Sequence, residues 1–190
     1  MAETMNRRKV ACLLADGFED SEFRIPHDRL TSSKYQVEII GMKAGEQLTG
    51  YKNRETATTD IAIEDADPKA YAGLLIPGGY SPDHLRADPR FVDFVKAFDA
   101  TGRPLAAVCH GPQLLLSAEL QRGRTLTAWT TVQSDLRQAG AQVKDEPVVV
   151  DRNWITSRKP EDLEAFSGQF LQALTLAGRG TASESVRPSS

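Results

Sequence analysis

Cys109 and His110 stand side by side in the stretch Leu105-Ala106-Ala107-Val108-Cys109-His110-Gly111-Pro112-Gln113-Leu114-Leu115. The stretch reads as an apolar strand, an abrupt turn and a helix opened by Gly111 and Pro112. A turn of this kind is a nucleophile elbow, which lifts one side chain above the end of a sheet. The N–H groups and positive dipole end of the new helix favour thiolate over thiol, and the thiolate is the form that attacks. Nucleophilic chemistry also needs a base, and usually a third group that orients the base. The chain has three histidines, His27, His84 and His110, so none follows the elbow. His110 is the base candidate, against the alternative of a helix-terminal histidine bonding a neighbouring carbonyl. Asp83 is the acid best suited to fix its imidazole, against the alternative of capping a short helix near His84. Pro77-Gly78-Gly79 offers backbone N–H groups to an oxyanion, joined by the His110 amide. A tight turn without a ligand explains the same glycines equally well. Ala107 stands where a G-x-C-x-G elbow has its first glycine, so the turn is expected in ordinary backbone space, followed by Gly111.

These residues need elements to hold them. Residues 9–15 form a continuous apolar strand, suited to a sheet buried on both faces. An acidic helical segment follows over 19–33, with Pro26 expected to kink or restart it. Strands are expected at 36–41 and 73–76, with an edge or hairpin strand over 56–63. Phe91, Phe94, Val95 and Phe98 mark a helix from Pro89 that Gly102 ends. The elbow strand 104–108 and a helix over 111–120 come next, then a strand over 124–129. A helix over 132–139 and a short strand at 142–144 lead to a hairpin turning at Asp151-Arg152-Asn153. A last helix from Pro160 carries Leu163, Phe166, Phe170 and Leu174 on one face, and residues 178–190 are expected to be a flexible tail. Alternating strands and helices argue for a single α/β domain with a mostly parallel sheet. In such a sheet, sites form outside the carboxyl ends of the strands. Those ends carry Asp16, Glu19 and Glu22; Gly78, Gly79 and Asp83; Cys109 and His110; and Trp129.

Composition narrows the function classes. A net charge of −3 over 190 residues gives no general basic field for nucleic acid or an anionic membrane. The run Arg7-Arg8-Lys9 reads as a solvated flank. No apolar run is long enough to span a bilayer. The segment Met1-Ala2-Glu3-Thr4-Met5-Asn6 lacks the apolar core of a signal peptide, so a cytoplasmic location is expected. Of the two cysteines, Cys12 lies inside the first strand and reads as an inert buried thiol. No C-x-x-C, paired-histidine, G-x-G-x-x-G or Walker pattern is present, so neither a metal nor another cofactor is expected.

Four segments together resemble the PfpI-type intracellular proteases of the DJ-1/PfpI superfamily. They are Ala15-Asp16-Gly17-Phe18-Glu19-Asp20-Ser21-Glu22, Leu75-Ile76-Pro77-Gly78-Gly79, Ala107 to Gln113, and Val149 to Arg158, in family order over residues 8–176. The elbow also resembles that of class I glutamine amidotransferases, but their distant His-x-Glu pair is absent. The resemblance implies a three-layer α/β/α sandwich with a flavodoxin-like, amidotransferase-like sheet. It implies Cys109 as nucleophile, His110 as its partner, Asp83 as the acid reaching that histidine across a subunit interface, and Glu22 as the carboxyl beside the sulfur. Glu19, Tyr80 and Trp129 are candidate pocket residues. A carboxylate beside a thiolate is disfavoured, so Glu22 and Cys109 tend to hold one proton between them. The function implied is a stress-response cysteine hydrolase acting on peptides or on methylglyoxal and glyoxal adducts. The alternative is a non-enzymatic oxidative-stress sensor or chaperone using oxidation of Cys109. A homodimer or hexamer is expected, with no nucleic acid or membrane partner.

Overall fold

A computed structural model describes residues 8–184, with side chains described as far as residue 180; the segment 1–7 and the tail 185–190 lie outside the described residues. The continuous apolar runs become the inner strands of a seven-stranded sheet. These are β1 (Lys9–Leu13), β2 (Gln36–Gly41), β5 (Ile61–Ala62), β6 (Gly73–Ile76), β7 (Leu105–Val108), β10 (Val148–Asp151) and β11 (Trp154–Ser157). Their order is β10-β11-β7-β6-β1-β2-β5, parallel throughout except for the antiparallel β10–β11 hairpin at one edge.

Alternation along β1 divides the core. Ala11 and Leu13 face a cluster with Leu85, Phe91, Phe94, Phe98, Leu114 and Leu136. Val10, Cys12 and Leu14 face a second cluster with Phe23, Leu30, Phe166, Phe170 and Leu174. The first layer is built from α2 (Ser81–Arg86), α3 (Pro89–Asp99), α4 (Gln113–Ser117) and α5 (Thr130–Gln138). The second pairs α1 (Asp20–Ser32) with α6 (Leu163–Glu184). The result is the three-layer α/β/α sandwich with a mostly parallel sheet. Among the described residues, no helix is long and apolar enough to cross a membrane.

Several elements differ from the sequence reading. Pro26 neither breaks nor restarts α1, which runs continuously with Pro26 buried inside it. The strand expected over 124–129 is only β8 (Thr125–Leu126), paired with β9 (Gln142–Val143) outside the main sheet. The helix expected over 111–120 is the five-residue α4, and Glu119 at φ 58° follows its end. The last helix continues through Gly178 and Gly180, so the tail expected from 178 is helical over 178–184.

Between β2 and β5 the chain makes a hairpin outside the sheet, β3 (Gln47–Thr49) with β4 (Thr56–Thr58). Asp20, 3% exposed, fixes its tip by accepting the N–H groups of Lys52 (3.0 Å), Arg54 (2.9 Å) and Glu55 (2.9 Å). Hydrogen bonds to a charged group contribute more than neutral ones. Replacing Asp20 with Ala strands those donors and is expected to cost about 2–3 kcal/mol, measurable by urea unfolding; a loss within a few tenths would contradict this account of the clamp.

Candidate functional site

The chain leaves β1 toward β2 and β5 on one side, then returns to β6 on the other side of β1. Strand order therefore reverses at β1 and β6, and their carboxyl ends open a crevice. The two loops there are stitched together. Glu19 N–H donates to Gly78 O (3.1 Å), Tyr80 N–H donates to Gly17 O (2.8 Å), and Phe18 bridges Gly79. Gly79 has φ 76°, and a Cβ there would fall 2.5 Å from both Glu19 N and Gly17 O. At Gly78 a Cβ would fall 2.5 Å from Glu22 Oε2 and 2.8 Å from Cys109 Cβ. Only glycine lets the two loops close on the cysteine.

Cys109 follows β7 with φ 61°, so the turn is not in ordinary backbone space: the nucleophile candidate itself takes the left-handed conformation. Its N–H still completes the ladder to Ser157 O (3.0 Å), while its carbonyl already accepts from Trp129 N–H (2.9 Å). Gly111 N–H returns to Val108 O (2.8 Å), so the chain must reverse at once. Such a residue costs about 1–2 kcal/mol, which the surrounding ladder and core must offset. With only five residues, α4 supplies a weak dipole. The donors that favour the thiolate are instead the backbone N–H groups of His110 and Gly79. These are the two amides expected from the sequence as an oxyanion site.

Glu22 projects from the first turn of α1 and is fully buried. Its Oε2 accepts Gly78 N–H (2.8 Å), its Oε1 has no nitrogen or oxygen partner among the described residues, and the carboxyl is in hydrogen-bonding reach of the Cys109 thiol. Burial, helped by the charge of Glu19, pushes its pKa up to about 8. Burial and Glu22 likewise push the Cys109 thiol up, against the pull of the two amides. Two acids enclosed together hold one negative charge more easily than two, and the proton is shared across the pair.

His110 Nδ1 lies 3.3 Å from Cys109 Sγ. Burial holds the imidazole below its ordinary pKa despite the charge of Asp83, which leaves it neutral and able to take a proton. Trp129 stacks on it, ring centroids 6.3 Å apart at 26°, although β8 lies outside the main sheet. Asp83 is exposed, and among the described residues it makes no hydrogen bond to His110; it acts on the ring only through its charge. Tyr80 is 64% exposed and meets Tyr51 edge-on at 5.8 Å. His84 bonds Asp16 O (3.1 Å) and His27 pairs with Asp28 (3.0 Å), which are structural roles. Cys12 is fully buried and its thiol is pushed far up by burial, as an inert thiol would be.

Glu19, expected only as a pocket residue, caps α1 through Glu22 N–H (2.9 Å) and also accepts from Ser21 Oγ. Lys52 Nζ reaches its Oε1 at 2.6 Å. Sequence reasoning missed Lys52, which lies in a polar stretch with no periodicity to mark it.

An α/β sandwich with a cysteine on an elbow at the switch point defines the class of cysteine-elbow α/β proteins. The chain belongs to the DJ-1/PfpI family, whose sequence profile matches residues 8–173. It is 45% identical over 168 residues to the Escherichia coli (strain K12) protein described as protein/nucleic acid deglycase 2, covering 88% of this chain and 98% of that one. It is 46% identical over 169 residues to an uncharacterized protein of Staphylococcus haemolyticus, with the same coverage. Among solved structures, a two-domain protein of Anabaena variabilis with DJ-1/ThiJ/PfpI-like and ferritin-like domains superposes with a TM-score of 0.87 at 38% identity. The match covers 88% of this chain and 48% of that one, so the chain spans about half its length. Schizosaccharomyces pombe DJ-1 shares the fold at a TM-score of 0.78 and 20% identity, over 90% of this chain and 97% of that one.

A group whose folded pKa is raised from 4.5 to about 8 binds more protons folded than unfolded between those values. Stability therefore falls as pH rises through that window, by at most about 1.4 kcal/mol per pH unit. Glu22→Gln is expected to remove this decline, so the stability difference between variant and wild type should grow in the variant's favour from pH 4.5 to 8. Parallel curves in urea unfolding across that range would show that the Glu22–Cys109 pair already carries a single negative charge throughout, on one member or the other.

Proposed function

We propose that the protein is a cysteine-nucleophile hydrolase that removes dicarbonyl adducts from amino groups, with peptides as the competing substrate class. The observation that carries the reading is the convergence on Cys109 Sγ of a buried carboxyl, an imidazole nitrogen and two backbone N–H groups. The resemblance to a protein described as a deglycase favours glycated over peptide substrates. In this reading the Cys109 thiolate adds to the free carbonyl carbon of the adduct, next to the carbon that carries the amine, while Glu22 keeps the proton. Negative charge developing on the substrate oxygen is met by the Gly79 and His110 amides. The hydroxyl on that neighbouring carbon then gives its proton to His110 and becomes a carbonyl as the carbon–nitrogen bond breaks, and the amine leaves with the proton from Glu22. The thiohemiketal oxygen reforms its carbonyl as the carbon–sulfur bond breaks, which releases the dicarbonyl to be hydrated by water and restores the Cys109 thiolate. The proton on His110 returns to Glu22.

Cys109→Ser should lower turnover of a methylglyoxal-adducted peptide by about 10³-fold or more, with the unfolding midpoint little changed. The assay is release of free amine, run beside a fluorogenic peptide to separate the two substrate classes. Wild-type rates in repurified Cys109→Ser would end the covalent reading.

Asp83 belongs to this proposal through a homodimer in which the partner's surface brings the acid to His110. Its exposure and its lack of a bond to His110 within one chain support that arrangement. Light scattering should then report a dimer or larger assembly. Asp83→Asn should lower turnover in that assembly without dissociating it. A fully active monomer would remove Asp83 from the machinery.

A second reading, a sensor of oxidants, is favoured by the same donors, which would also hold oxidised sulfur. Selective oxidation of Cys109 by dilute peroxide, seen by intact mass, with no turnover of either substrate, would favour it.

A further inference from the structure

Glu19 is a buried acid acting on Glu22 that the chemistry above leaves without a task. Its side chain is 5% exposed and accepts three donors: Glu22 N–H, Ser21 Oγ and Lys52 Nζ. Two of these would be enough to cap a helix. The third comes from the tip of the β3–β4 hairpin, 33 residues away, and that tip is held where it is by the Asp20 clamp. The hairpin is also joined to the loop after β1, through Gly17 N–H to Thr49 O (2.9 Å) and Tyr51 N–H to Phe18 O (2.9 Å). A structure that only needed a cap would not require a cation delivered with this constraint.

The charges around Glu22 can be enumerated. From its own helix, Glu19 faces it with a negative charge; from the hairpin, Lys52 faces it with a positive one. The β6 loop contributes the Gly78 N–H, and the elbow contributes Cys109, with His110 behind it and Asp83 acting on His110. Lys52 is the cation and Glu19 the carboxylate whose charges act most strongly on Glu22. The two are bonded to each other at 2.6 Å. Either charge alone would impose its sign on the proton shared by Glu22 and Cys109.

We propose that Glu19 and Lys52 are positioning residues acting as a matched charge pair, which sets how readily Cys109 gives up its proton and makes the β3–β4 hairpin part of the site. The proposal rests on the reading of Cys109 as nucleophile, and the pair acts through Glu22 without touching substrate. Removing Lys52's charge leaves Glu19 uncompensated, and the added negative potential retains the proton. Removing Glu19's charge leaves Lys52 uncompensated and releases it.

The test is the pH dependence of Cys109 alkylation by iodoacetamide, followed by intact mass, which needs no substrate and no turnover. Cys12 is fully buried, so the signal belongs to Cys109. In Lys52→Met the midpoint should move up by about half a pH unit or more, the reach of one charge across a partly solvated site. In Glu19→Gln, which keeps an oxygen for the helix cap, it should move down by a similar amount. The double variant should return toward wild type, and Lys52→Arg should match wild type. Raising the salt concentration should shrink the Lys52→Met shift, because the Lys52 side chain is 39% exposed. Shifts of the same sign in the two single variants would mean that the hairpin had merely loosened, and would overturn the proposal. So would midpoints that do not move. Should Glu19→Gln fail to fold, Lys52→Met against Lys52→Arg still decides. Wild-type turnover in Cys109→Ser would sink the nucleophile reading separately, since the alkylation midpoints do not depend on it.

Discussion

A carboxyl group and a thiol enclosed together in a poorly solvated crevice cannot both ionise cheaply, and Glu22 and Cys109 are enclosed in this way. Much of the surrounding architecture answers the question of where their single charge sits. The Gly78 N–H bonds the carboxyl, the Gly79 and His110 amides face the sulfur, and a neutral imidazole stands 3.3 Å from it. Each of these groups is a fixed dipole or a ring held by neighbours, so little reorganisation is needed when charge moves. A solvated site would give the same residues ordinary acidities and no special reactivity.

The sheet supplies the rigidity this requires. Three loops from three adjacent parallel strands, β1, β6 and β7, deliver Glu22, the glycine pair and Cys109 to one crevice. Two of the loops bond to each other, and the third is bonded to β11 and to Trp129. The left-handed backbone of Cys109 is tolerated because both sides of it are committed to hydrogen bonds. A cysteine in a mobile loop would relax to a more comfortable conformation and lose its aim.

Much of this is legible in the residues alone. Val10 to Leu14, Gly73 to Ile76 and Leu105 to Val108 are continuous apolar runs, and those are the buried inner strands. Phe91, Phe94, Val95 and Phe98 give α3 by spacing alone. The positive φ of Cys109 was hidden because it follows from where Ser157 and Trp129 lie, both far along the chain. The brevity of α4 was hidden for a similar reason: Leu114 and Leu115 continue a helical pattern, but the chain turns left-handed at Glu119. Thr125 to Ala128 has a strand's composition, yet β11 already has β7 and β10 as its sheet neighbours, so β8 pairs elsewhere. Pro26 falls in a helix whose buried face keeps it in line, where local propensity argued for a break. Lys52 carried no signal, because its placement depends on main-chain bonds to Asp20.

Those bonds have a consequence of their own. Asp20 grips the hairpin tip by three peptide N–H groups, and a peptide N–H is present whatever side chain its residue carries, proline excepted. The path of the tip is thus uncoupled from most of its spelling. Residues 51, 52 and 54 can be exchanged widely while the backbone keeps its course past the mouth of the crevice; Asn53, at φ 56°, is the position where the backbone restricts the choice. Sequence drift at this surface loop would then leave the scaffold intact and retune only the local field, giving one fold a range of thiol reactivities without disturbing the sheet that carries it.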